Sequence, residues 1–268
     1  MKTGFFAYSG YPKSVGVSIE EAIGLINSSG SVLLKSWTSY TVNGKLVIDE
    51  VTKAIDESEY FCADLTGFSD NVIFELGYAI AKNKDIFLVL DCSHIESIRR
   101  YKELSSLTTI GYQKYINSSD IVQAFTSFDS SPTILEKIKN RQASGTGNPL
   151  LFLKSQFDTP YSRVISSKIL EYKIPCSTDD ASENRVQPIE WYQDKLNKAA
   201  LIEFSATSRS GYEIQNSKCS LVAGLALGYK LDLLMLVEEP YEVPIDYRDL
   251  LINSCYADRK VRDLTGIK

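Results

Sequence analysis

Five carboxylates, Asp64, Asp70, Glu75, Asp85 and Asp91, occur in one stretch of the sequence, ADLTGFSDNVIFELGYAIAKNKDIFLVLD at residues 63–91. The third, Glu75, lies inside the apolar run VIFELGYAIA, where burial would raise its pKa and strengthen its electrostatic effect. A carboxylate in such a place can stabilise or attack a sugar carbon that becomes positively charged when a glycosidic bond breaks. A nicotinamide or nucleobase leaving group needs little help from a general acid. These residues therefore indicate chemistry at a sugar ring.

A purely structural interpretation of the same residues stays open. The dipole of a helix favours an acidic residue in its first turns, and Glu75 could pair with a lysine. Asp70 or Asn71 could be the N-cap of that helix, and Asp64 could form the turn before it. The pattern by itself does not choose between these interpretations.

The composition excludes several kinds of site. The chain has one histidine, His94, which argues against a histidine-dependent triad and against a multi-histidine metal site. None of the five cysteines has the spacing of zinc ligands, and an odd number fits poorly with a disulfide framework. We therefore expect no metal, no cofactor and a reduced, cytoplasmic location.

Charge and hydropathy exclude two kinds of partner. The net charge of -5 and the pI of about 5.1 argue against a sequence-independent grip on nucleic acid. The N-terminal segment MKTGFFAYSGYPKS has too short an apolar part for a secretory signal. The longest apolar run, residues 221–237, contains Lys230 and Asp232, so we expect no membrane span.

The first half of the chain alternates between strand and helix patterns. Buried strands are predicted at residues 4–9, 32–37, 60–64 and 86–90. Helices are predicted at residues 17–27, 45–57 and 71–82. This alternation predicts an α/β fold with a parallel sheet that helices cover on both faces.

The second half repeats this order. Strands are predicted at residues 150–155 and 200–205, and helices at 160–171 and 188–199. The segment CSLVAGLALGYKLDLLMLVEE can be laid over VIFELGYAIAKNKDIFLVLD, which places Gly224 and Asp232 147 positions after Gly77 and Asp85. Ser155 follows Ser9 by 146 positions. A nearly constant offset predicts a duplicated module.

The duplication sets the expected domain organisation. We predict a first module at residues 1–143, closed by a helix at 132–142, and a second at residues 149–268, joined by the linker SGTGNP. The second module ends at the equivalent of residue 121, so it is either shortened or part of a longer protein. In this register Val222 stands where the first module has Glu75. The second copy is therefore expected to be degenerate and inactive.

The candidate site lies beyond the carboxyl ends of the strands, where open parallel sheets bind their ligands. Tyr8, Tyr11 and Trp37, near the ends of the first two strands, could stack on a base, or could be ordinary core or rim aromatics. The full set of predicted substrate-binding residues is Tyr8, Ser9, Trp37, Asp64, Thr66, Asp70 and Asn71.

The string DLTG, then NV, then ELG resembles a known signature. It matches at Asp64, Leu65, Thr66, Gly67, Asn71, Val72, Glu75, Leu76 and Gly77. This stretch is similar to the signature of the nucleoside 2-deoxyribosyltransferase-like proteins and the bacterial TIR-like proteins. The resemblance implies a flavodoxin-like or TIR-like α/β fold for each of the two tandem modules. It also implies that Glu75 is the catalytic carboxylate, with Asp64, Asp70 and Asn71 near the sugar.

Three functions agree with this resemblance. The first is NAD hydrolysis to nicotinamide and ADP-ribose by an antiphage-defence effector, with NAD as substrate. The second is deoxyribosyl transfer or deoxynucleoside hydrolysis. The third is a non-catalytic nucleotide sensor or scaffold. Typical deoxyribosyltransferases are single modules that assemble, whereas this chain carries a second copy, which could be a built-in partner, a dimerisation surface or a ligand sensor. We expect a nucleotide or nucleoside ligand and either a homo-oligomer or a larger defence assembly.

Overall fold

A computed structural model describes residues 1–40, 46–103, 110–128, 147–180, 187–242, 244 and 247–253. These residues form two five-stranded sheets in which every strand pair is parallel. Eight α-helices accompany the sheets. The expected α/β class is confirmed. The helix predicted at residues 132–142 lies outside the described residues.

The first sheet has the order β2-β1-β3-β4-β5. Its strands are β1 (Lys2–Ala7), β2 (Val32–Ser36), β3 (Tyr60–Asp64), β4 (Asp85–Asp91) and β5 (Gln113–Tyr115). Its helices are α1 (Lys13–Ser28), α2 (Val47–Asp56), α3 (Asp70–Ala81), α4 (Ile95–Glu103) and α5 (Ser118–Thr126). A short 3-10 turn, Trp37–Ser39, follows β2.

The second sheet has the order β7-β6-β8-β9-β10, which is the same topology. Its strands are β6 (Leu150–Lys154), β7 (Cys176–Asp180), β8 (Ala199–Phe204), β9 (Asp232–Val237) and β10 (Leu251–Asn253). Its helices are α6 (Pro160–Glu171), α7 (Ile189–Lys195) and α8 (Tyr212–Gly228). Both sheets thus have the strand order of flavodoxin-like folds. The topology that the two halves share is what the repeated pattern predicts.

Three strands, β5, β7 and β10, have no counterpart in the sequence prediction. The segment that forms β7, CSTDD, is almost entirely polar because β7 is an edge strand with limited burial. The other two, β5 and β10, have only three residues each and also lie at sheet edges. Hydrophobic periodicity reports burial, so short and exposed edge strands leave little trace in it.

The prediction of a nearly constant offset between the halves is wrong at the third strand. Ala63 pairs with Ala7 in the first sheet, and Ile202 pairs with Leu153 in the second. The equivalent of Ala63 is therefore Ile202, 139 positions later, whereas the helices that follow keep the offset of 147. The second half thus has eight additional residues between its third strand and the next helix.

The two halves pack through one helix each, α3 and α8. A Cβ built on Gly77 would lie 2.0 Å from the backbone oxygen of Leu221, and one on Gly224 would lie 2.0 Å from that of Phe74. These contacts are reciprocal, because Leu221 and Gly224 are the equivalents of Phe74 and Gly77. The glycines therefore allow the two helix backbones to touch.

The contacts at both helix ends define the symmetry of this interface. Asp70 accepts a hydrogen bond from its own equivalent, Ser217, near the first turns. A Cβ on Gly228 would meet the side chain of Ala81, again its equivalent, at the far end. The helices therefore run parallel about a pseudo-twofold axis, and both N-termini lie at the same end. One apolar cluster continues across the interface from the first sheet to the second.

In the part of the chain described above, no helix combines the length and the apolar character that a bilayer crossing requires.

Candidate functional site

The strand order of the first sheet reverses at β1 and β3, so the loops after these strands flank its switch point. They touch at Gly67, where a Cβ would lie 3.0 Å from the Cβ of Ser9 and 3.1 Å from the backbone oxygen of Tyr11. Only glycine permits this close approach without a shift of the first loop. Ser9 also accepts a hydrogen bond from the amide of Tyr11 at 3.3 Å, which shapes that loop. Ser9 therefore lies at the switch point, beyond the carboxyl end of β1.

The helix α3 begins beside this crevice. Its N-cap is Ser69, which makes no side-chain capping bond, so the expectation that Asp70 or Asn71 is the N-cap is wrong. Glu75 lies on the second turn and is 5% exposed. It follows Asn71 by four residues, so the two lie on the same face of the helix.

This face of α3 looks toward α2. Tyr78 and Lys82, farther along the same side, both reach Asp56 at the end of α2, at 3.1 Å and 3.9 Å. Both helices run opposite to the strands, so their N-terminal ends lie at the carboxyl edge of the sheet. Glu75 therefore lies near the N-terminal end of α3, on the side that faces the N-terminal half of α2.

Asp64 is turned into its own loop rather than into the crevice. Its carboxylate accepts hydrogen bonds from the amide and hydroxyl of Thr66, both at 2.9 Å, and from the hydroxyl of Tyr115 at 2.8 Å. Thr66 Oγ1 in turn accepts from the amide of Asp91 at 2.9 Å. Burial raises the pKa of Asp64 to about 6, although the bonds from Tyr115 and Thr66 oppose this rise. Asp64 and Thr66 therefore fasten the β3 loop onto β4 and β5.

Asp70 faces the second half of the molecule. Its Oδ1 accepts a hydrogen bond from Ser217 Oγ at 3.0 Å, and burial raises its pKa to about 6. Five residues separate it from Glu75, which places the two side chains roughly 140° apart around the helix. The expected convergence of Asp64, Asp70, Asn71 and Glu75 is therefore not what the structure shows. Asn71 and Glu75 share a face of α3, whereas Asp64 points into its own loop and Asp70 faces the second half.

The predicted aromatic residues Tyr8 and Trp37 lie together, with ring centroids 5.9 Å apart. Trp37 is 45% exposed and Tyr8 is buried. Glu20, which the sequence analysis missed, accepts hydrogen bonds from Tyr8 at 2.5 Å, Ser36 at 2.6 Å and Thr38 at 2.9 Å. Partial burial opposes ionisation of Glu20, but these bonds outweigh it and lower its pKa. No local motif marks Glu20, because its partners come from other elements.

Glu203 is the equivalent of Asp64 in the second half, since both residues follow the matched pairs at the end of the third strand. It is fully buried, and its Oε2 accepts hydrogen bonds from the amide of Ser155 and the hydroxyl of Ser162, both at 2.9 Å. Its Oε1 has no hydrogen-bond partner among the described residues. Burial raises the pKa of Glu203 to about 7. A carboxylate at this strand end is thus part of the fold in both halves.

Replacing Glu203 by glutamine is expected to reduce the pH dependence of stability. A carboxyl whose pKa is higher in the folded state stabilises the fold below its unfolded pKa and loses that contribution as pH rises through 7. A pKa difference of this size between the folded and unfolded states changes the free energy of unfolding by about 3 kcal/mol between pH 4 and pH 8.

Urea unfolding can test this in a Trp37→Phe background, where Trp191 reports on the second half alone. The exposed Glu171→Gln variant is the control and should keep the wild-type pH profile. An unchanged profile in Glu203→Gln would contradict the expectation.

Val222, the equivalent of Glu75 in α8, is fully buried. The reciprocal glycine contacts show that this equivalence holds in space as well as in the sequence. The same position in the same packing thus takes an apolar side chain in one half and a carboxylate in the other.

Within the described ranges, no group of three or more histidine, cysteine, aspartate or glutamate side chains is arranged to hold a metal ion. No model of a known protein family matches the sequence, and no curated protein matches it.

Proposed function

We propose that this protein is an N-glycosidase that cleaves the ribosyl–base bond of a nucleotide, with NAD as its substrate and Glu75 as its catalytic carboxylate. The observation that carries the proposal is the contrast between Glu75 and Val222. Both side chains are almost inaccessible, and each lies in the helix through which its half packs against the other, α3 or α8. Only Glu75 is charged.

Burial of a charged side chain is costly where an apolar one can take its place. Removing a carboxylate from water costs several kcal/mol, which its contacts must then repay. Val222 demonstrates that an apolar residue packs well in this environment. The carboxylate of Glu75 is therefore retained for something other than packing. Asp64 and Glu203, in contrast, are a matched pair whose role in their loops is structural.

The position of Glu75 agrees with chemistry at a sugar ring. It lies at the carboxyl edge beside the switch point of the sheet, where a nucleotide would enter. The negative charge of Glu75 stabilises the ribosyl oxocarbenium ion, or its oxygen bonds to the anomeric carbon, as the electron pair of the glycosidic bond leaves with nicotinamide. Water then adds at the anomeric carbon, displacing the Glu75 carboxylate where that bond has formed, and this step yields ADP-ribose and a proton.

Other residues of the first half would bind rather than react. Trp37 offers a half-exposed ring beside Tyr8, suited to stacking on a base. Asn71 shares a face of α3 with Glu75 and would contact the ribose. One half with the carboxylate and one without suit a regulated effector, and an NAD-depleting antiphage protein is the biological role that we propose.

Product analysis tests the proposed reaction. The full chain is incubated with NAD and separately with deoxynucleosides plus a second free base, and the products are separated by chromatography. We expect nicotinamide and ADP-ribose from NAD. Base exchange in the second mixture would instead identify deoxyribosyl transfer as the activity of the protein. If every ligand is recovered intact from both mixtures, the molecule is not a glycosidase.

A further inference from the structure

A cleft of about 140 Å³ opens between the two halves at the N-terminal ends of α3 and α8. Asp70 lies at this junction, where Ser217 Oγ donates to it at 3.0 Å. Glu75, on another face of α3, does not line the cleft. The cleft is therefore separate from the proposed catalytic crevice. Its lining residues are Phe68, Asp70, Arg100, Tyr212, Glu213, Ile214 and Ser217.

One wall of the cleft is built by residues that only the second half has. Five of the eight additional residues after β8 extend the following helix, which begins at Tyr212, five positions before Ser217. Tyr212, Glu213 and Ile214 belong to this extension, and all three line the cleft. The degenerate half thus lacks the carboxylate of the first half but has acquired a wall of its own.

Phe68, on the opposite wall, has an unusual backbone conformation. Four described non-glycine residues have positive φ, and three of them, Asn83, Lys173 and Lys230, directly follow helix ends, where this conformation is ordinary. Phe68, with φ of 44°, lies instead in the loop before α3. Its ring packs edge-on against Tyr101 at 6.3 Å. Backbone strain of this kind in a large residue is concentrated at ligand sites.

The chemistry of the lining indicates what the cleft can bind. Asp70 and Glu213 accept hydrogen bonds and favour an N–H donor, while Phe68 and Tyr212 offer rings to a planar group. Arg100 supplies a positive charge for an anionic group. The volume is well below the 300–1,000 Å³ of pockets that enclose drug-sized ligands, so one ring system fits inside and the remainder stays outside.

We propose that this cleft is an effector site for a small molecule with a planar, amine-bearing ring and one anionic group, the class to which amino-substituted nucleoside monophosphates belong. The amine donates to the carboxylates of Asp70 and Glu213, the ring lies between Phe68 and Tyr212, and Arg100 binds the phosphate. Because Asp70 begins the helix that carries Glu75, occupation of the cleft reaches the proposed catalytic residue through α3. Only this last, regulatory step rests on the proposed function.

Isothermal titration calorimetry tests the binding claim with matched ligands. AMP and IMP differ in one exocyclic group, as do CMP and UMP, and in each pair only the first carries the amine. The full chain carries Glu75→Gln, so that turnover cannot consume the ligand. We expect saturable one-to-one binding of AMP or CMP, about tenfold or more tighter than that of its partner without the amine.

Variants of the lining residues locate the site. Glu213→Gln and Arg100→Gln are each expected to weaken binding about tenfold, and Arg100→Gln should affect AMP but not adenosine. The control variants Glu171→Gln and Arg163→Gln make the same charge changes outside the cleft and should bind normally. Circular dichroism checks that each variant is folded.

The inference is overturned if none of the four nucleotides binds, if IMP and UMP bind as tightly as AMP and CMP, or if the Arg100 and Glu213 variants bind normally. Binding at the cleft by a protein that leaves NAD intact would support this site and remove the proposed activity. NAD cleavage without nucleotide binding at the cleft would support the proposed activity and overturn the effector site.

Discussion

Replacing Glu75 by glutamine is expected to lower the rate of N-glycosidic cleavage by about a thousandfold or more. Glutamine keeps the size of the side chain but loses the charge that stabilises the ribosyl cation, and loss of a nucleophile has effects of this size or larger in other enzymes. The measurement is the initial rate of nicotinamide release from NAD. A Glu75→Gln protein that turns over at the wild-type rate would refute the proposed role.

A second substitution at the same position separates function from structure. Glu75→Val copies the residue that the second half uses, so we expect the free energy of unfolding to stay within about 1 kcal/mol of wild type while activity is lost. A loss of about 3–5 kcal/mol would instead show that the contacts of Glu75 hold the fold together. Glu57→Gln, an exposed carboxylate on the same side of the sheet, is the control and should change neither quantity.

Replacing Gly77 by alanine is expected to destabilise the protein by about 3 kcal/mol or more. The added methyl group would lie 2.0 Å from a backbone oxygen of the facing helix, so the two helices must separate along their length. Gly224→Ala should have a similar effect, because its contact is the symmetry equivalent. The double variant should lose less free energy of unfolding than the two single variants lose together, since the first substitution already separates the helices.

Urea unfolding measures these effects, and the two tryptophans report on different halves. Trp37 follows β2 in the first sheet, and Trp191 lies in α7 beside the second. Gly24→Ala is the matched control: it lies inside α1 with no atom within 4 Å of a new Cβ, and should gain up to about 1 kcal/mol from helix propensity. If Gly77→Ala is as stable as wild type, the close packing of α3 and α8 does not hold the halves together.

Strong periodicity made some elements predictable to the residue. The buried strand at residues 60–64 and the helix at 160–171 occur as the pattern predicts. Their ends are marked by local signals, such as Thr159, whose side chain caps the first turn of α6, and Pro160 at its start. Elements that contribute little to a core, such as β7, lacked such a signal.

The directions of the carboxylates were not predictable in the same way. Asp64, Asp70 and Glu75 are close in sequence, and the pattern placed all of them near one edge of the sheet. Tyr115 draws the first into its loop, Ser217 holds the second against the other half, and the third remains on the α2 side. Tyr115 is 51 residues from Asp64 in the chain, and Ser217 is 147 residues from Asp70 and belongs to the other half.

The sequence by itself determined the α/β class, the duplication and the contrast between Glu75 and Val222, because burial and chain order leave a periodic record in the residues. The tertiary structure alone decided the parallel packing of α3 and α8, the cluster around Glu20, and the cleft at Asp70. These features depend on contacts between residues far apart in the chain. No local pattern encodes such contacts, since each needs both surfaces to be folded before it exists.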